Sequence, residues 1–158
     1  MLQRLCKERL LEASIWLPTP LETLFPFFAD AANLNTLTPP WLNFKIVTPL
    51  PIEMKSGALI EYRIGLKGVP MKWLTRIAEW NPPHRFVDEQ LKGPYLLWHH
   101  THEFKREQRN GKDGTLCIDR VRYKHMGGPI VEKLLVRRDI DRIFAYRKEK
   151  MQELFGKE

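Results

Sequence analysis

Cysteine is scarce: the 158 residues include two, Cys6 and Cys117. They lie far apart and match no metal or redox spacing, so reduced thiols in a cytoplasmic protein are expected. Long apolar runs are missing too. Nothing approaches the length of a membrane span. The opening stretch, Met1 to Arg9, breaks its leucines with Arg4, Lys7, Glu8 and Arg9, unlike the apolar centre of a signal peptide. There is no Gly-x-Ser-x-Gly and no phosphate-binding loop, and Gly111-Lys112-Asp113-Gly114 reads as a hairpin turn. No repeat, low-complexity segment or linker divides the chain, so residues 1–158 read as a single domain.

What is abundant is charge. The formal net charge is +7 and the pI is about 9.5, which invites a nucleic-acid or anionic-membrane partner. The pattern argues against nucleic acid. Lys and Arg are scattered and mixed with Asp and Glu. The one dense cluster, Arg137, Arg138, Arg142, Arg147, Lys148 and Lys150, is interrupted by Asp139, Asp141 and Glu149, as on a solvated helix.

Alternation predicts a first strand over Arg9 to Leu17, ended by Pro18. Thr19-Pro20-Leu21-Glu22 reads as a capping box opening a short helix that Pro26 should kink. Asp30 can cap a second short helix through Leu37, stopped by Thr38-Pro39-Pro40. Strands are expected near Asn43 to Thr48, Ala58 to Leu66, Val69 to Trp80, Arg85 to Leu91, Tyr95 to Arg106 and Thr115 to Lys124. Short turns make them an antiparallel meander. After Gly127-Gly128-Pro129 comes a long helix with a stripe of Val136, Ile140, Ile143, Phe144, Met151, Leu154 and Phe155; Leu134 and Leu135 fall off it, which predicts a bend or a contact near an opening.

Successive strand residues point to opposite faces. One face collects Glu61, Arg63, Lys72, Arg76, Arg85, Glu89, Glu103, Lys105, Arg120 and Arg122 and belongs to solvent. The other is largely apolar, with Trp73, Trp98 and Phe104 among its aromatics, yet it also carries Tyr62, Asp88, Gln90, His100, His102, Asp119 and Tyr123. An unpartnered buried polar group costs on the order of 1–3 kcal/mol, so a dry core would not gather seven. Arg147 falls within the apolar stripe of the last helix and needs a carboxylate or an anionic ligand. This face therefore reads as a binding cavity lined by Tyr62, Trp73, Asp88, Trp98, His100, His102, Phe104, Asp119, Tyr123 and Arg147. A closed network remains the alternative, with Arg147 on Asp88 or Asp119 and tyrosines on carboxylates.

His100 and His102 share a face and could chelate a metal if Asp88 or Asp119 came near, but hydrogen bonding is the commoner fate of such a pair, and no metal or cofactor is expected. His100 or Asp88 could act as general acid or base, with Tyr62 or Tyr123 polarising a carbonyl. No activated nucleophile accompanies them.

The order strand, two short helices, six strands and long C-terminal helix resembles the SRPBCC superfamily, the START and Bet v 1 type helix-grip fold. More narrowly the chain is similar to bacterial cyclase/dehydrase or CoxG-like proteins and to the SRPBCC domain of epimerase-linked cell-division-inhibitor homologues. The residues that carry the likeness are Leu37-Thr38-Pro39-Pro40-Trp41, Gly57 with Tyr62, Trp73, Phe86 to Gln90, Gly93-Pro94-Tyr95 with Trp98, His100 and His102, Gly114-Thr115 with Asp119 and Tyr123, and Ile143-Phe144 with Tyr146-Arg147. The resemblance implies an α+β fold, a curved antiparallel sheet of about seven strands around a long C-terminal helix. It also implies a cavity between them for a hydrophobic small molecule such as a lipid, quinone, polyketide or sterol. Aromatase/cyclase members act mainly by confining a reactive polyketide, and the resemblance transfers no catalytic residue. The alternatives are a cyclase or dehydratase using His100 or Asp88, and an interaction domain docking a partner or, peripherally, an anionic membrane surface. Oligomeric state is left open.

Overall fold

A computed structural model describes residues 7–157. Cys6 and most of the opening segment read above lie outside them. Strand β1 (Arg9–Leu17) has the expected bounds and buries Leu11, Ile15 and Leu17. Helix α1 (Leu21–Ala29) starts differently from the expectation. Pro20 is its N-cap and no side chain caps it. The Thr19 hydroxyl instead donates to the Phe155 carbonyl at 2.9 Å, tying this turn to the end of the chain. Pro26 sits inside α1 without ending it, because burial of Leu21, Leu24, Phe25 and Phe28 offsets the missing hydrogen bond. Asp30 caps as expected, accepting from the Ala32 amide at 2.9 Å. A 3-10 turn (Ala31–Asn33) then leads into α2 (Leu34–Leu37), and a second 3-10 turn (Pro40–Leu42) follows the proline stop.

The remaining strands are β2 (Lys45–Ile46), β3 (Leu59–Leu66), β4 (Val69–Asn81), β5 (Arg85–Lys92), β6 (Leu97–Arg109) and β7 (Lys112–Lys124). They form one antiparallel seven-stranded sheet in the order β1-β7-β6-β5-β4-β3-β2. The strand expected over Asn43 to Thr48 shrinks to β2. Asn43 turns left-handed at φ 45°, and the Val47 and Thr48 amides both donate to the Glu61 carbonyl, so regular pairing stops there. Conversely, β6 and β7 run further than expected. Their turn is Asn110-Gly111 alone, with φ of 52° and 76°, the positive values a two-residue hairpin needs.

Register decides which side chains meet. On the inner face Asp88 of β5 stands opposite His100 of β6, and His102 stands opposite Asp119 of β7. On the convex face Arg85 and Arg120 both bond Glu103, Arg120 also reaches Glu12, and Arg122 reaches Glu8, so much of the basic charge there is matched across strands.

Gly114 pins the β1–β7 edge. A Cβ there would lie 2.4 Å from the Leu17 carbonyl oxygen and 2.5 Å from the Trp16 ring, whose indole N–H donates to the Glu107 carbonyl at 2.8 Å. Gly114→Ala is expected to cost roughly 1–3 kcal/mol in urea unfolding, since backbone or the indole must shift; a loss below about 0.5 kcal/mol would show that the edge is pliable.

The C-terminal segment begins with one helical turn, α3 (Pro129–Val131), passes through a π-helical stretch (Glu132–Val136) and continues as α4 (Arg137–Phe155). Leu134 and Leu135 lie in this π-helical stretch and are exposed, as their place off the apolar stripe implies. Ile140 and Phe144 pack with Leu11, Val121 and Tyr123 of the sheet, and Met151 joins Leu17, Leu21 and Phe25. Leu154 departs from its expected place in the stripe and is exposed, while Phe155 packs on Phe27 with ring centroids 5.0 Å apart. Among the described residues no helix is long and apolar enough to cross a membrane.

Candidate functional site

Between the inner face of the sheet, α2 and α4 lies a cavity of two lobes. The larger holds about 880 Å³ of atom-free space and the smaller about 570 Å³, open mouths included. Leu34, Leu37, Tyr62, Asp88, His102 and Arg147 border both lobes and so mark where they meet. Beyond that junction the larger lobe is walled by Trp73, Trp98, Ile143 and Phe144, among others. The smaller is closed by Phe28, Ile60, Ile77 and Phe86. Leu34 and Leu37, three apart on α2, share one helix face. That spacing is the sequence signal that could have pointed to them.

Seven of the ten sequence-predicted residues border the lobes: Tyr62, Trp73, Asp88, Trp98, His100, His102 and Arg147. Phe104 instead packs in the core, edge-on to Phe25 at 5.5 Å and against Phe28 at 5.0 Å. Tyr123 is buried with its hydroxyl donating to Glu132 at 2.7 Å, and His125 lies 2.5 Å from the same carboxylate. Burial and this carboxylate push the Tyr123 hydroxyl up to about 12. Gln90 braces a turn, donating to the Tyr95 carbonyl at 2.6 Å and accepting from its amide at 3.1 Å. Tyr62 stacks on Trp73 at 5.7 Å and accepts from the Thr75 hydroxyl at 3.3 Å.

The other polar groups form one cluster. His100 and His102 stack with ring centroids 3.7 Å apart, as two residues on one face of β6 can. A carboxylate sits at each edge of the stack. Asp119 lies 2.7 Å from His100 Nε2 and 3.2 Å from His102 Nδ1. Asp88 lies 2.6 Å from His102 Nε2 and 3.8 Å from His100 Nδ1. Arg147 reaches across from α4, its Nε 3.3 Å from Asp119 Oδ2. Of the two partners that the sequence left open for Arg147, this is the one it bonds.

Burial opposes charge throughout the cluster, and the contacts decide which groups keep it. Asp119 is held well below the carboxylate range, the Arg147 charge and both imidazoles outweighing desolvation. Asp88 is lowered for the same kind of reason, through His102 and His100. For His102, burial is more than offset by hydrogen bonds to Asp119 and Asp88, which raise it. His100 is lowered by burial and by the neighbouring His102 charge.

Residues 17–143 match the sequence model of a family described as polyketide cyclase/dehydrase and lipid transport. The chain belongs to this family. Solved structures agree on the fold. An aromatase/cyclase, Zhui, from Streptomyces sp. R1128 superposes with a TM-score of 0.62 at 14% identity, over 94% of this chain and 96% of its own. The major latex-like protein 151 of Panax ginseng gives 0.64 at 8% identity, over 94% and 97%. Protein Ms6760 of Mycobacterium smegmatis gives 0.64 at 15%, over 98% and 92%. No curated protein sequence matches the chain significantly. For this polyketide cyclase/dehydrase and lipid-transport family member, the arrangement is a helix-grip cavity with one charged cluster where its lobes join.

Proposed function

We propose that the chain acts as a single domain binding a hydrophobic small molecule that carries a polar or acidic group, in the class of lipids, quinones and polyketides. The observation that carries this reading is the distribution of polarity in the cavity. Apolar and aromatic side chains dominate both lobes, and the charged residues Asp88, His102 and Arg147 gather where the lobes meet. An apolar body would occupy the larger lobe against Trp73, Trp98 and Phe144, while its polar end would meet Arg147 and His102. Family membership supports a hydrophobic ligand in general terms.

The test is a fluorescence titration with a fluorophore-labelled fatty acid and with its methyl ester. The acid is expected to bind at least about tenfold tighter, a difference of roughly 1.4 kcal/mol, because a carboxylate accepts a stronger, charge-assisted hydrogen bond from Arg147 than an ester does. Failure of both probes to bind would overturn the reading. A cyclase or dehydratase is the second reading, favoured by His100, which is held by Asp119 and borders the larger lobe. Mass spectrometry of a poly-β-ketone analogue incubated with the protein decides it: a cyclised or dehydrated product supports catalysis, and unchanged analogue leaves binding alone.

A further inference from the structure

The sequence set a condition for a metal site, the approach of Asp88 or Asp119 to the histidine pair, and both carboxylates meet it. We infer that Asp88, His100 and His102 bind one divalent transition-metal ion at the wall of the larger lobe. Each of the three offers a ligand atom, and those atoms lie within 4.8 Å of one another, so a single ion that opens the 2.6 Å contact between His102 and Asp88 can reach all three. All three border the larger lobe, so coordination positions left over by the protein face the cavity.

The outer contacts strengthen the assignment. His100 Nδ1 and His102 Nε2 both face Asp88 Oδ2, at 3.8 and 2.6 Å. The opposite nitrogens, His100 Nε2 and His102 Nδ1, both face Asp119 Oδ1, at 2.7 and 3.2 Å. An imidazole that binds a metal through one nitrogen characteristically donates its other N–H to a carboxylate, which fixes the tautomer and raises ligand basicity. Asp119 stands in that position for both rings at once, and Arg147 holds it from α4. Arg147 Nη2 also lies 3.5 Å from His102 Nδ1, on this outer edge rather than the Asp88 edge. Strand geometry supplies the rest, since residues two apart on β6 share a face and Asp88 is the register partner of His100.

Two nitrogens and one carboxylate oxygen suit Zn²⁺, Fe²⁺ or Co²⁺ and disfavour Ca²⁺ and Mg²⁺, which prefer all-oxygen shells. Each imidazole must be unprotonated at its ligating nitrogen, so affinity for the ion falls at low pH. In a largely apolar cavity the ion would add a second point of attachment for an acidic or carbonyl-bearing ligand. The site itself does not depend on any such ligand being bound.

The experiment uses untagged full-length protein stripped with chelator and titrated with Co²⁺ and, separately, with Zn²⁺. The expected result is one equivalent bound, with visible d–d bands for Co²⁺ and new chemical shifts for the His100 and His102 ring protons. His102→Asn and Asp88→Asn are each expected to abolish stoichiometric binding. Asp119→Asn weakens it about 10–100-fold, and His84→Asn on the exposed surface leaves it unchanged. Circular dichroism shows which variants fold, and Asp88→Asn, at the partly exposed edge, serves if the histidine variant does not. No Co²⁺ spectrum, or one untouched by either substitution, would overturn the site. Probe binding by the stripped protein, measured alongside, reports separately on the proposed small-molecule function.

Discussion

Arg147→Met is expected to lower the unfolding free energy by about 3–5 kcal/mol, the largest stability effect of any single change in the cavity. The guanidinium and its partner Asp119 have side chains only 12% and 11% exposed, and they meet at 3.3 Å. Methionine keeps most of the stem but leaves the Asp119 carboxylate buried with imidazoles alone to answer it. For a chain of this size the corresponding drop in Tm is roughly 6–20 °C. The double variant Asp119→Asn/Arg147→Met is expected to be clearly more stable than the sum of the single losses, because the stranded charge has gone. Urea denaturation of the four proteins closes the cycle. A loss below about 1 kcal/mol for Arg147→Met would mean that the pair is solvated through the cavity and is not a structural anchor.

The largest functional effect is expected from filling the larger lobe. Ile143 is half-buried on α4 and borders only that lobe of the two. Ile143→Trp places an indole where the apolar body of a ligand would lie, and should weaken binding of the labelled fatty acid at least about tenfold. Stability should change by less than about 1.5 kcal/mol, because the added volume enters space instead of a packed core. Glu149→Trp, on the exposed side of the same helix, serves as the control and should leave affinity unchanged. Equal affinity in Ile143→Trp and the parent protein would place the ligand elsewhere.

Much of this arrangement is legible in the sequence, because alternation in a strand fixes which face a side chain takes. Tyr62, Trp73, Asp88, Trp98, His100 and His102 sort inward by parity alone, and the outward acids and bases sort with them. Parity says nothing of what stands opposite. The pairing of Asp119 with His102 is set by the Asn110-Gly111 hairpin between β6 and β7, and that of Asp88 with His100 by where β5 leaves off and β6 begins. That turn is closed by Gln90 bonding the backbone of Tyr95, a contact with no sequence signature. The fate of Tyr123 was hidden for another reason. Its partner Glu132 is a charged residue in the π-helical stretch, where the 3.6-residue wheel loses phase. Thr19 shows the limit of a local rule: its hydroxyl fits a capping box, but the end of α4 arrives close by and takes it.

The cavity is proposed to hold a molecule in the cell. Native mass spectrometry of the protein purified from its own host tests it most directly. The expected result is a population heavier than the bare chain, whose extra mass leaves with organic solvent and is absent from Ile143→Trp. A chain that carries nothing from its host, and stays at its bare mass after incubation with the labelled fatty acid, would contradict it.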